Sequence, residues 1–237
     1  HMGKIRTNNE DNFYFDGKNL EMYNSGSKQT LEKEESTNHA VCLGVFDGMG
    51  GESNGEKASY YAAITLKEEL AKTIKKPKEF LQQTIQKMNE WICQEAQKDK
   101  TFMGTTAAMM YIFETEVYIC NIGDSRIYRL RENQLMQISE DHVEKIALTS
   151  GKPALTQNLG IPKEEMEIEP YIAKGTCRKG DTFLICTDGL TDMVKEEEIY
   201  HILKQTSNMK QCAEDLITRA LENGGKDNIT VIVCKIV

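Results

Sequence analysis

Short apolar stretches rich in β-branched and aromatic side chains recur over 12–15, 39–46, 105–113, 116–121 and 126–130, which predicts strands. Further strands are predicted over 134–138, 167–173, 181–186 and 229–236. Apolar residues fall at helical spacing over 55–75 and 78–98, with Pro77 placed to end the first helix and open the second. A second helix pair is predicted over 195–205 and 209–222, closed by Asn223-Gly224-Gly225 as a C-terminal cap. Blocks of strands punctuated by helix pairs predict an α+β fold, in which mostly antiparallel sheets pack on each other and helices cover their outer faces. The polar, aperiodic stretch 17–38 reads as an exposed, mobile loop that carries no chemistry.

Bulk composition narrows the function classes. A chain of 237 residues can bury a substantial core and suits a single domain spanning 1–237. His1 reads as a tag remnant and is excluded from functional reasoning. No apolar run approaches the length of a membrane crossing, so no membrane partner is expected. A formal net charge of −8 argues against a nucleic-acid partner, because phosphate backbones are held by clustered Lys and Arg. The seven cysteines include no CxxC pair, and Cys42, Cys120, Cys186 and Cys234 sit inside strand-like runs. They read as small buried hydrophobes of a protein in a reducing cytoplasm.

The chemistry concentrates in the acids. Asp47, Asp124, Asp188 and Asp227 each stand near the end of an apolar strand or in its flanking turn, and Glu10-Asp11 immediately precedes another strand. Strands stacked in two sheets bring their ends together, so carboxylates distant in sequence can converge on rigid supports. Converging anions need neutralising. A hard divalent cation with a preference for carboxylate, carbonyl and water oxygens does this for several carboxylates at once, which makes Mg²⁺ or Mn²⁺ the expected cofactor. No His or Cys spacing suits zinc. The glycine after Asp47 leaves the Gly48 carbonyl accessible as an additional ligand, and Arg6 supplies a cation four residues before Glu10.

With Arg6 and Asn9-Glu10-Asp11, then Asp47-Gly48-Met49-Gly50-Gly51, Gly104-Thr105-Thr106, Gly123-Asp124-Ser125-Arg126, Thr187-Asp188-Gly189-Leu190 and Asp227-Asn228, the chain resembles the metal-dependent protein phosphatases of type 2C, the PPM family, and in particular its bacterial members. The resemblance runs from Gly3 to the C-terminus. It implies a four-layer αββα sandwich with a dinuclear site at one end. It also implies hydrolysis of phosphoserine and phosphothreonine in protein substrates, among them substrates of a partner Ser/Thr kinase. By motif position, Asp47 would bridge two Mn²⁺ or Mg²⁺ ions, and Asp188 and Asp227 would complete the first. The Gly48 carbonyl, with water-mediated contacts from Glu10 and Asp11, would hold the second. A third ion is implied at Asp124, Asp188 and Asp192. The catalytic set is then Arg6, Asp11 and Asp47. A water shared by two cations is readily deprotonated and aligned for direct attack on phosphorus, while the planar donors of Arg6 grip the phosphate.

Three departures from the family pattern stand out. Met49 occupies the place where many eukaryotic members carry a histidine, leaving the general acid unassigned; His39, His142 and His201 read as surface or capping residues. The flap over 143–154 is short, with a helix-like piece followed by Ser150-Gly151-Lys152-Pro153, which bears on the third ion and on peptide selectivity. Little of the usual first strand precedes Arg6, so an exposed sheet edge is expected on an otherwise monomeric protein. The competing reading from another class is a non-catalytic pseudophosphatase or phosphoprotein-binding domain, against which the intact Asp47, Asp188 and Asp227 count.

Overall fold

The computed structural model describes residues 1–50, 54–145 and 152–237. Among these residues ten strands form two antiparallel sheets. The larger joins β1 (Asp11–Phe15), β2 (Val41–Met49), β4 (Ala107–Phe113), β5 (Glu116–Ile122) and β8 (Tyr171–Thr176) in that order, with the two-residue β3 (Gly104–Thr105) paired to the end of β2. The smaller runs β10 (Val231–Lys235), β9 (Thr182–Cys186), β6 (Arg126–Arg131), β7 (Gln134–Gln137).

Side-chain alternation along these strands builds the layers, because successive residues of a strand face opposite sides of the sheet. Leu43, Val45, Ala108, Met110 and Ile119 point inward and meet Ile127, Phe183, Ile185 and Ile232 of the smaller sheet in one buried cluster. Their neighbours Phe46, Met109, Tyr111 and Cys120 point outward onto α1 (Gly55–Leu70) and α2 (Pro77–Asp99). On the far side Tyr128, Leu184 and Cys186 point onto α4 (Glu196–Gln205) and α5 (Met209–Glu222). The α+β sandwich of two antiparallel sheets between helix pairs is therefore the observed fold.

Several boundaries differ from expectation. The first helix ends at Leu70, and 71–76 forms the reversal that antiparallel α1 and α2 require. Pro77 opens α2 at its first turn, and its ring holds Lys76 extended, but it does not terminate α1. The expected strand 105–113 is interrupted at Thr106, whose N–H turns to the Asp47 carbonyl and whose hydroxyl accepts from the Asp47 N–H. The expected strand 167–173 forms only from Tyr171 and continues to Thr176. Asp188, expected where a strand runs out, opens a one-turn helix, α3 (Asp188–Thr191). The stretch 17–38 has no strand or helix, yet its first part is tied down: Asn12 accepts from Leu20 N–H, and Asn24 accepts from Asn9. The helix-like piece expected in the flap begins at Val143, which instead pairs with Leu155, and its remainder lies within 146–151, outside the described residues, as does Gly51 of the Asp47 motif.

All seven cysteines are unpaired, and Cys42, Cys120 and Cys186 lie in the core. Burial pushes the Cys42 and Cys186 thiols up to about 12, far from the thiolate that nucleophilic or redox chemistry needs. Cys234 is only partly buried.

Candidate active site

The two sheets deliver their acids to one end of the sandwich. In the β1–β2 ladder, Asp11 is directly opposite Asp47, the closing pair of that register. Across the core, Asp11 is fixed by the smaller sheet: its Oδ2 accepts from Thr187 Oγ1 at 2.8 Å and from Thr230 Oγ1 at 2.7 Å. Those threonines are themselves joined, since Thr187 N–H donates to the Thr230 carbonyl and Thr230 N–H to Thr187 Oγ1. Thr187 sits one residue before Asp188 and Thr230 three after Asp227. A single buried carboxylate oxygen thus sews the segments bearing Asp11, Asp188 and Asp227 together.

Asp124 arrives by a different route. Gly123 turns the chain at φ +94°, a conformation that disfavours side chains, and a Cβ there would meet the Thr106 side chain at 2.5 Å. Thr106 and Ser125 hydroxyls share a hydrogen bond of 2.7 Å, so the end of β5 is bonded to the residue that already holds the Asp47 backbone. His142 steadies the same turn, accepting from Gly123 N–H on Nδ1 and donating its own N–H to the Gly123 carbonyl. Burial lowers its pKa, consistent with a neutral capping imidazole. His39 and His201 are exposed, as expected of surface residues.

Glu10 lies at the mouth of the cluster. Its N–H donates to Asn228 Oδ1 at 2.7 Å, and Asn228 Nδ2 reaches the Asn8 and Met2 carbonyls. Burial and then the neighbouring Glu56 raise the Glu10 pKa. Glu56, buried in the first turn of α1, is an acid that sequence reasoning did not single out. Gly48 lies where β2, the start of α1 and the Glu10 backbone meet: a Cβ would fall 2.1 Å from the Gly55 carbonyl oxygen and 2.5 Å from that of Glu10. Only glycine fits.

Arg6 faces into the cluster. Its Nη2 donates to Asp227 Oδ2 at 2.7 Å, and its Nη1 stands 4.0 Å from Glu10 Oε2. Asp227 Oδ1 is held by the Asn228 N–H. The hydrogen bond to Asp227 raises the guanidinium pKa further above its ordinary value, so Arg6 is a permanent cation at the rim.

The electrostatics of this end are costly as they stand. Asp11 is 1% exposed, and burial lifts its pKa to about 6 against the opposing pull of Thr230 and Thr187. Asp47 is raised well above the carboxylate range, by burial first and then by the charges of Asp11, Asp124 and Asp227. Asp11 Oδ1 and Asp188 Oδ1 are buried and find no hydrogen-bond partner among the described residues. Buried carboxylate oxygens without a donor are expensive, and hard cations are the ligands that suit an all-oxygen donor set. The residues therefore fit a divalent ion. Among the described residues the acids do not close round a single ion-sized point; cationic side chains engage them instead, Arg6 on Asp227 and Lys152 on Asp124, Asp188 and Asp192. Lys152 was visible in the sequence only as part of the short flap, because the pattern gives no sign of where a flap side chain reaches.

A family model described as protein phosphatase 2C matches residues 31–223. The serine/threonine phosphatase Stp of Listeria innocua is 32% identical over 256 aligned residues, which cover 98% of this chain and 91% of that protein. The serine/threonine protein phosphatase PstP of Mycobacterium tuberculosis is 30% identical over 99% of this chain and 43% of its own length. Among solved structures, the catalytic domain of PstP in complex with two manganese ions superposes with a TM-score of 0.79 at 28% identity, covering 100% of this chain and 95% of that one. Carrying the family's fold and aligning with its named bacterial phosphatases over nearly its whole length, this chain belongs to the protein phosphatase 2C family.

Proposed function

We propose that this chain is a metal-dependent protein phosphatase that hydrolyses phosphoserine and phosphothreonine in other proteins. One observation carries the reading: buried carboxylate oxygens of Asp11 and Asp188 find no hydrogen-bond partner among the described residues, inside a cluster that also holds Asp47, Asp124 and Asp227. Such a cluster is stable as a set of anions only around cations. Two Mn²⁺ or Mg²⁺ ions, when bound, supply Lewis acidity and lower the pKa of water for in-line attack on phosphorus.

The roles of individual residues follow from their supports. Asp47, central among the acids and without a side-chain hydrogen bond among the described residues, would hold the ions. Asp188 and Asp227, with the Gly48 carbonyl, Glu10 and Asp11, would hold them beside it. Thr187 and Thr230 keep one oxygen of Asp11 occupied and so orient the other toward the cluster. Arg6, at the rim and half exposed, is assigned to the substrate phosphate, where its fork of donors matches two phosphoryl oxygens. Met49 carries no transferable proton, so protonation of the leaving alkoxide is assigned to solvent at the mouth.

The unpaired cysteines support a reducing, cytoplasmic setting, and among the described residues no helix is long and apolar enough to cross a membrane. We assign the chain to one folding unit over 1–237, acting as a monomer on the substrates of a Ser/Thr kinase. Hydrolysis of a phosphothreonine peptide should require Mn²⁺ or Mg²⁺, fall to background with excess chelator and return when metal is restored. Full activity in chelator would refute the assignment. Arg6→Ala should raise KM for the phosphopeptide roughly tenfold while changing kcat less, as loss of ground-state phosphate binding predicts; an unchanged KM would remove Arg6 from the substrate site.

A further inference from the structure

Three carboxylates beside the central pair, Asp124, Asp188 and Asp192, already share a cation that belongs to the chain. Lys152 Nζ is 2.8 Å from Asp124 Oδ2, in contact with Asp188 Oδ2, and 3.6 Å from Asp192 Oδ2. These are the acids that family resemblance associates with a third metal ion. We propose that the Lys152 ammonium is an internal substitute for that ion, occupying the third-cation position so that this chain binds two divalent ions and resists a third.

Local structure makes Lys152 more than a passing surface lysine. Residues on both sides of the flap are joined at its base: Glu144 N–H donates to the Ala154 carbonyl and Thr156 N–H to the His142 carbonyl, each at 2.9 Å. Val143 and Leu155 form a bridge in the same ribbon. His142, in turn, is bonded in both directions to Gly123, the residue before Asp124. The anchor of Lys152 and the loop carrying Asp124 are therefore tied to each other through His142. Pro153 follows Lys152 directly, and the residue before a proline is confined to extended backbone. Part of the backbone entropy at Lys152 is thus removed before the ammonium meets its partners, and the loss of side-chain freedom is offset by the three ion pairs.

Charge decides the competition. A lysine ammonium is a cation at neutral pH, and Asp124, Asp188 and Asp192 surround that of Lys152. One positive charge seated among three carboxylates both neutralises part of their repulsion and repels any incoming dication. Asp188 is shared between this position and the central pair, and the ammonium engages its Oδ2 while its Oδ1 has no hydrogen-bond partner among the described residues. The third position can therefore be filled from within and one Asp188 oxygen still be left for the two-ion centre. This inference depends on the phosphatase reading for that centre but not for the ion pairs themselves.

Counting bound Mn²⁺ tests the proposal without reference to turnover. Titration calorimetry and metal analysis of the whole chain should give two ions for the natural sequence and for Lys152→Arg. Lys152→Met, and equally Lys152→Gln, should take up a third ion at least about tenfold more tightly than any third ion in the natural chain. Adding Asp192→Asn to Lys152→Met should remove that ion and so locate it. Equal stoichiometry and equal third-ion affinity in the natural chain and both neutral variants, whether at two ions or three, would overturn the proposal while leaving the two-ion reading standing. Absence of Mn²⁺ uptake in every variant would overturn both.

Discussion

Asp47→Asn is expected to lower phosphopeptide turnover roughly a thousandfold or more, the scale on which loss of a charge-stabilising group at a reacting centre is felt, and at the same time to make the metal-free protein more stable. The two effects share one cause. Asp47 is placed by strong backbone bonds, with its N–H on Thr106 Oγ1 and its carbonyl accepting from Thr105 Oγ1 and Thr106 N–H, and among the described residues no donor reaches its carboxylate. The side chain is pressed into a partly buried position beside Asp11, Asp124 and Asp227, which raise its pKa together with burial. An amide of the same shape keeps the backbone bonds and removes the repulsion, so thermal unfolding in chelator should shift upward for the variant. With Mn²⁺ present the order should invert, because the natural carboxylate gains the ion and the amide does not. Turnover within tenfold of the natural chain would exclude Asp47 from the reacting centre, and a metal-free variant that melts lower would show that its carboxylate stabilises the fold by some bond of its own.

The pH dependence of metal-free stability is the second large effect. The carboxyl of Asp11 has a pKa of about 6 in the folded chain against an ordinary 3.8. The folded state therefore holds a proton that the unfolded state releases, and its contribution to stability is complete below about 3.8 and lost as pH rises through about 6. For this one group the loss is about 3 kcal/mol. Asp47 and Glu10, also raised, act in the same direction. Asp181, held by Arg131, and Glu69, held by Lys72 and Lys87, are lowered and act in the opposite direction, but their change is complete at more acidic pH; His142 and the N-terminal amine, lowered by burial, oppose the fall within the interval, where the three raised acids outweigh them. In chelator, the melting temperature should fall between about pH 5 and pH 7. Excess Mn²⁺ should reverse that fall, since binding of a cation to the ionised carboxylates stabilises the folded state by mass action. A metal-free melting temperature that rises steadily over this interval would contradict the burial of Asp11 as an unneutralised acid.

Much of this molecule was legible without coordinates, and the reasons are local. Phe46, Met109 and Cys120 alternate with Val45, Met110 and Ile119 along strands buried on both faces, and such runs announce themselves in composition. The C-terminal helix stops where Gly224 and Gly225, both at positive φ, close it, with Gly225 N–H on the Ala220 carbonyl. Asp47 and Asp188 each close an apolar run and precede a glycine, which is why they could be singled out, although β2 continues through Asp47 to Met49 and Asp188 opens α3. Where Pro77 misled, a local signal for opening one helix was taken also as the end of another, and the geometry of an antiparallel helix pair placed that end at Leu70 instead.

By itself, then, the order of residues determined the strand and helix content, the α+β class and the short set of acids with Arg6 able to serve phosphate chemistry, because periodicity, turn residues and formal charge are properties of neighbours along the chain. Only the tertiary structure decided which of those groups meet. Thr187 and Thr230 clasp one oxygen of Asp11 from 176 and 219 residues away, Glu56 comes to press on Glu10, and Lys152 reaches three carboxylates at once. Those outcomes depend on the packing of two sheets and on where a flap side chain comes to rest, and the free energy that selects them is that of burying charge, which no single segment of sequence contains.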